Sequence, residues 1–281
     1  MTLTDLREAF LSPSGDRLVP GPHARSPWGA DMLHGRLLGG LLARAVEREH
    51  AEPWLHVARL TVDLFRSTPM VPVQVVTSRV RDGRRIRVVD ATVLTSDGPA
   101  ARASAVLLRR GDQPPGDVPA TPAWDVPGPD RLGPAPHRTN SARRVPWDTW
   151  LLDADGKPAT GWDSGHPRRA WLRETHELVA GEPLTPLVRA ALAADFASPL
   201  AHAGTAGLQY INADYTLALS REPVGDAIGL ESAGHLGQDG TAVGRCTMYD
   251  TSGPIGFCTV TALANPNNGF RPAGSGHSPG R

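Results

Sequence analysis

The sequence predicts an α+β chain made of two tandem copies of one module, each a helix packed on an antiparallel sheet. Two regions, 28–110 and 168–264, present the same order of signals: an amphipathic helix, a long strand, an Asp-Gly hairpin and a strand opened by a Gly-Pro turn. Their landmarks recur at an almost constant offset, with Pro69 and Pro223 lying 154 residues apart and Gly98 and Gly253 lying 155 apart. The third observation is where proline falls, because it marks a join between the two copies.

In the first copy the apolar positions Leu37, Leu38, Leu41, Leu42 and Ala45 repeat at helical spacing and predict one buried helix face starting at His34. After Pro53, residues 55–65 alternate and are rich in β-formers. Residues 73–81 and 85–95 flank Asp82-Gly83, a strong hairpin signal. Residues 101–109 follow the turn Ser96-Asp-Gly-Pro and supply a further strand.

The second copy opens at Thr185-Pro186, an N-cap followed by proline at the first helical position, and its helix is expected to end at Pro199. Leu184, Leu187, Val188, Ala191 and Leu192 form its stripe. Strands are expected at 208–219, 226–235, 241–249 and 255–263. Asp239-Gly240 answers Asp82-Gly83, and the turn at Thr251 answers the one at Ser96.

Glycine and proline number 30 and 27 in 281 residues, about a fifth against a typical ~12%. The excess excludes a coiled coil and concentrates in residues 111–136. The expected organisation is therefore an N-terminal repeat over 1–110, a proline-rich crossover linker over 111–167, a C-terminal repeat over 168–264 and a flexible tail over 265–281. Basic and acidic residues number 29 each, so no electrostatic footprint for nucleic acid exists. No apolar run reaches the ~18 residues of a membrane span, and the start lacks a basic-then-apolar signal. Two cysteines, Cys246 and Cys258, cannot form a disulfide scaffold; placed symmetrically about Ser252, they are expected to face each other as a reduced pair. A cytoplasmic location is the expectation.

The segments HGRLLGGLLARA (34–45), WLR (171–173) with EPLTPLVRAALAADFASPL (182–200), YINADYTLAL (210–219) and CTVTALA (258–264) resemble the double-hotdog acyl-CoA thioesterases, the type II and actinobacterial thioesterase-like group. The resemblance implies a double-hotdog fold, a place in lipid metabolism, an acyl-CoA or acyl-carrier-protein thioester as substrate and no cofactor beyond the coenzyme A of that substrate. It also implies further association into a homo-oligomer. In that family an aspartate on the second helix, a hydroxyl residue on the following strand and a glutamine on the last strand hold the hydrolytic water. Carried onto this chain, the trio becomes Asp195, Asn212 and Thr261, so two of the three positions depart from the pattern.

The residues themselves bear on that assignment. Asp195 extends the apolar stripe, eleven residues after Leu184, so its carboxyl is expected to face the sheet, where desolvation favours a base of raised pKa. The alternative is a helix-terminating cap, which the helix dipole disfavours for an acid at that end. By the two-residue strand period Asn212 and Asp214 share a face, making Asp214 a neighbour of the site; a polar strand end is the alternative for Asn212. Thr261 alternates with Thr259, as ordinary strand threonines do. His34 and Gly35 open the first helix, where unpaired N–H groups suit a developing oxyanion, although a histidine cap would look the same. Arg79, Arg81, Arg84, Arg85 and Arg87 crowd the first hairpin, and Arg84 and Arg85 are candidates for the phosphates of coenzyme A or for a solvated tip.

Other signals exclude other chemistry. Gly276-His-Ser-Pro-Gly280 fits G-x-S-x-G but lacks a strand-to-helix elbow. No zinc-type or nucleotide-binding spacing occurs among the motifs. A hydratase or dehydratase on the same fold would need Asp-x4-His, and His202 stands seven residues after Asp195. A non-catalytic acyl-thioester-binding protein is the remaining alternative.

Overall fold

The computed structural model describes residues 8–136, 146–159, 166 and 168–266. The chain opens with β1 (Ala9–Ser14) and β2 (Arg17–Pro20), then α1 (Gly35–His50) and the strands β3 (Leu55–Leu64), β4 (Gln74–Asp82), β5 (Ile86–Thr95) and β6 (Gly98–Arg109). It continues through β7 (Trp147–Leu152), β8 (Arg169–Glu174) and β9 (Glu177–Val179) to α2 (Pro186–Ala194) and α3 (Ala197–His202). The last strands are β10 (Tyr210–Asn212), β11 (Asp214–Leu219), β12 (Ala227–Gln238), β13 (Thr241–Asp250) and β14 (Gly253–Ala264). One sheet runs β4-β5-β6-β3-β11-β14-β13-β12-β8-β7, with β10 also paired to β14. The expected antiparallel sheet with few helices is the observed architecture, a double hotdog.

Strand register makes the duplication quantitative. Ile86 pairs with Leu108 and Thr241 with Leu263, and both partners move by 155. Gln74 pairs with Leu94 and Gly229 with Tyr249, again a shift of 155 for each partner. The central strands β3 and β11 pair antiparallel, and Thr61 lies opposite Thr216, its own equivalent at that offset. Their hydroxyls sit 3.1 Å apart, so a pseudo-two-fold axis passes through this pair.

Both helices lie on one face of the sheet and touch each other. Leu37, Leu38, Leu41, Leu42 and Ala45 are buried as their spacing predicts, and so are Leu187, Val188, Ala191 and Leu192. Gly39 and Gly40 make the approach possible. A Cβ on Gly39 would stand 1.8 Å from Tyr215 Oη, and one on Gly40 would stand 2.7 Å from Leu192 Cδ2. Cys246 and Cys258 are partners in register and are both free and buried beneath the second helix pair.

Three expectations need correction. The linker is not irregular throughout, because Trp147–Leu152 pairs with β8 and extends the sheet. The proline-rich part is also packed: Trp124 stacks on Tyr249 at 4.7 Å, and Trp171 Nε1 donates to the Pro127 carbonyl at 3.0 Å. Val126, Ala135, Trp150, Leu152, Trp171 and Ala227 form a second small core there. Proline bars a long helix but permits an extended strap anchored by the half-buried Trp124, and even a single helical turn, Pro129–Leu132, with proline at its first position. Second, the N-terminal segment does not belong to the first repeat alone, since β1 pairs in parallel with β9. Third, Pro199 does not end the helix. The break falls at Asp195 and Phe196, and Pro199 lies in the first turn of α3, where its missing N–H needs no partner. The tail from residue 267 onward, with the Gly276–Gly280 run, lies outside the described residues. Among the described residues no helix is long and apolar enough to cross a membrane.

Candidate active site

The N-terminus of α1 and the C-terminus of α2 lie side by side, joined by the hydrogen bond from Arg36 Nε to the Leu192 carbonyl. Asp195 stands at the C-cap of α2 in αR conformation. Asn212 Nδ2 donates to Asp195 Oδ1 at 2.9 Å. The residue keeps partial solvent contact, yet burial of its carboxyl raises the pKa above the ordinary aspartate value; the Asn212 hydrogen bond and the charge of Arg36 oppose the rise. Among the described residues nothing bonds Oδ2, which leaves one carboxylate oxygen for a water.

A one-residue bulge decides which strand residues reach this carboxylate. Asn212 pairs with Ala262, whereas Thr216 pairs with Thr259, so the chain carries one extra residue, Ala213, between them. A bulge inverts the alternation of faces. Asn212 therefore joins the helix-facing side, together with Tyr215 and Leu217, while Asp214 turns to the opposite face. Asp214 there accepts from the Thr261 hydroxyl at 2.6 Å and from the Thr261 amide at 2.9 Å. The expectation that Asn212 and Asp214 share a face fails for this reason. The candidate trio splits: Asp195 and Asn212 meet, and Thr261 lies exposed on the other side with Asp214. The same bulge occurs 155 residues earlier, between Val57 and Arg59.

His34 caps α1, its Nδ1 accepting from the Arg36 amide at 3.4 Å, and Gly35 opens the first turn. Burial, reinforced by Arg36, lowers the His34 pKa to about 3, so the ring stays neutral. Its edge packs on Trp147. Arg84 and Arg85 do not join the site. They are exposed beyond Asp82, near the far end of α1, where Arg87 Nη1 donates to the His50 carbonyl at 2.6 Å. Sixteen residues of helix separate the two ends, roughly 24 Å at 1.5 Å per residue.

Sequence reasoning missed Arg36, Glu174, Trp147 and Tyr215. The Arg36 guanidinium is ion-paired with Glu174, lies 4.4 Å over the Trp147 ring and donates through Nε to the Leu192 carbonyl at 3.3 Å. Both side chains of the pair are about 95% buried. Tyr215 Oη donates to the Ala191 carbonyl at 3.0 Å, one turn before Asp195. One clue was readable: a cation in the first turn of an apolar helix opposes the helix dipole and calls for a local partner. The partner, 138 residues away, was not.

The pseudo-symmetric position is chemically different. Val57 replaces Asn212 at the 155-residue offset, and the N-terminal turn of α2 presents Pro186 and Leu187 where α1 presents Gly35 and Arg36. Among the described residues this polar arrangement therefore occurs once. His202, which the hydratase reading needs, faces elsewhere: its Nδ1 lies 2.8 Å from His235 Nδ1 and its ring packs on Tyr210.

Residues 24–108 match the acyl-CoA thioesterase N-terminal domain, and residues 115–264 match the acyl-CoA thioesterase C-terminal domain. The chain belongs to the acyl-CoA thioesterase family. Its enzyme class is that of thioester hydrolases. Among solved structures, the tesB protein of Mycobacterium avium subs paratuberculosis is similar over 91% of this chain and 96% of its own, at 16% identity and a TM-score of 0.65. The acyl-CoA thioesterase II TesB2 of Mycobacterium marinum covers 87% of this chain and 91% of its own, at 17% identity and a TM-score of 0.57. A conserved hot dog fold protein of Alicyclobacillus acidocaldarius covers 90% of this acyl-CoA thioesterase family member and 95% of itself, at 15% identity and a TM-score of 0.65. At these identities the likeness bears on the fold. Comparison with curated proteins gives no match.

Proposed function

We propose that the chain hydrolyses an acyl-CoA thioester, without a further cofactor, using a water held by Asp195. The observation that carries this reading is the Asp195–Asn212 pair beside the first turn of α1. Water bound at Asp195 Oδ2 attacks the thioester carbonyl carbon while its proton passes to the carboxylate. The carbonyl oxygen gains the negative charge, and the backbone N–H of Gly35, at the start of α1, donates to it. Collapse expels the coenzyme A thiolate, and the proton held by Asp195 leaves with the sulfur. Asn212 fixes the carboxylate, and the positive charge of Arg36 favours its ionised form against desolvation. Thr261 and Asp214 clamp the bulge from the other side.

Carrier-protein thioesters fit the same chemistry, and the acyl chain is the open variable. The exposed Val243, Phe257 and Leu263 of the second repeat support a homo-oligomer, which sedimentation of the purified chain measures. Thiol release from a panel of acyl-CoA esters tests the activity. The expected result is turnover of at least one ester that Asp195→Asn reduces about 10²- to 10⁴-fold, the range of a general base. Tight acyl-CoA binding without thiol release would establish a binding protein instead.

A further inference from the structure

A second cluster lies apart from Asp195, where the N-terminal strand meets the second repeat. Glu8 immediately precedes β1, His23 stands in the short 3-10 turn Pro22–Ala24, and His176 lies between β8 and β9. His23 Nε2 is 2.5 Å from Glu8 Oε2, and His176 Nε2 is 3.2 Å from the same oxygen. One ligating atom from each residue falls within 4.8 Å of the other two. The imidazole rings stand 4.6 Å apart, and Phe10 packs on His176 at 5.6 Å.

We propose that Glu8, His23 and His176 form a binding site for a divalent transition-metal ion of the zinc class. Two imidazole nitrogens and one carboxylate oxygen are a donor set that suits such an ion and that magnesium or calcium, which take oxygen ligands, does not favour. The surroundings prepare the ligands. Thr175 Oγ1 lies 2.9 Å from His176 Nδ1; by accepting the Nδ1 proton it leaves the Nε2 lone pair directed at the cluster, the outer-partner arrangement typical of metal-bound histidine. The Glu8 side chain is 66% exposed, so an ion has a route in and water can supply the fourth ligand. The backbone holds the cluster in place: the Glu177 amide donates to the Glu8 carbonyl at 3.1 Å, and Ala9 pairs with Glu177. A bound ion ties β1 to the strand pair that carries Glu174, and binding only the folded chain raises its stability by mass action.

The test uses full-length, untagged, chelator-stripped protein. Calorimetric titration with Zn2+ is expected to show one ion per chain with an increase in Tm, and Co2+ is expected to give the intense visible bands of tetrahedral coordination. Mg2+ and Ca2+ produce neither effect. His23→Gln, His176→Gln and Glu8→Gln each weaken Zn2+ binding more than ~10-fold, and Thr175→Val weakens it about 10-fold, as loss of an outer partner does. Glu8→Gln keeps the hydrogen-bonding shape, so it distinguishes lost ligation from lost folding, and metal-free Tm values of all variants complete that control. Absence of stoichiometric Zn2+ binding to the wild type overturns the site. Unchanged affinity in His23→Gln and His176→Gln, which would place the ion elsewhere, overturns it equally.

Discussion

Replacing Gly39 by alanine reverses the usual sign of a glycine-to-alanine change in a helix. At an unconstrained interior position alanine stabilises by ~1 kcal/mol through backbone entropy and propensity. In α1 the added Cβ would stand 1.8 Å from Tyr215 Oη, 2.8 Å from Cζ and 3.2 Å from Cε1. Ordinary carbon contacts begin near 3.5 Å, so the ring or the helix must move by more than an ångström. Tyr215 is fully buried and its hydroxyl bonds the Ala191 carbonyl. Overpacking costs ~1–3 kcal/mol and losing the buried hydroxyl bond another ~1–3 kcal/mol. After the propensity gain, the net loss is about 1–5 kcal/mol. Urea unfolding read by fluorescence and far-UV circular dichroism measures it, with a lower midpoint and an unchanged slope expected. In a Tyr215→Phe background the penalty should shrink by ~0.5–3 kcal/mol, because the nearest atom is gone. A midpoint for Gly39→Ala at or above that of the wild type would falsify the close approach of helix to sheet. Since Ala191 and Asp195 share α2, thioesterase activity is expected to fall with stability.

Three further predictions concern the site. Asp195→Asn is expected to stabilise the protein at neutral pH while it removes activity: the raised folded pKa means the native state binds the proton more tightly than the unfolded chain, so wild-type stability falls as pH rises from the ordinary aspartate value through the folded one. Thermal melts from pH 4 to 8 check it, and a variant less stable than wild type at pH 7 would contradict it. The paired variant Arg36→Met with Glu174→Leu removes the charge that favours ionised Asp195 without leaving a buried charge unpaired, which alone would cost ~3–5 kcal/mol; the acid limb of the kcat/KM profile is expected to move to higher pH. Thr261→Val should leave kcat within about threefold of wild type, because its hydroxyl meets Asp214 on the face away from Asp195, whereas Asn212→Val should lower kcat by ~10²-fold, as loss of a group positioning a general base does.

Much of the fold was legible because its markers are local. A turn declares itself through Asp-Gly or Gly-Pro, a helix through its apolar period, and a duplication through the spacing of both. The 154- and 155-residue offsets read from Pro69, Pro223, Gly98 and Gly253 agree with a strand register that repeats at 155. The strand at Trp147–Leu152 was hidden by its neighbourhood, since the preceding prolines mask a short run of β-formers and tryptophans.

The sequence by itself determined the two helix-on-sheet copies, the buried faces of their helices, and Asp195 as the acid at the end of the second helix. Only the tertiary structure decided which polar residues meet it. Ala213 is an unremarkable alanine, yet as a bulge it inverts the strand's alternation, bringing Asn212 to Asp195 and sending Asp214 to Thr261. No single-chain pattern announces an inserted residue, because a bulge is defined by the register of the neighbouring strand. The same holds for Arg36, whose pairing with Glu174 spans 138 residues. Local chemistry writes the elements, and the register between them chooses the partners.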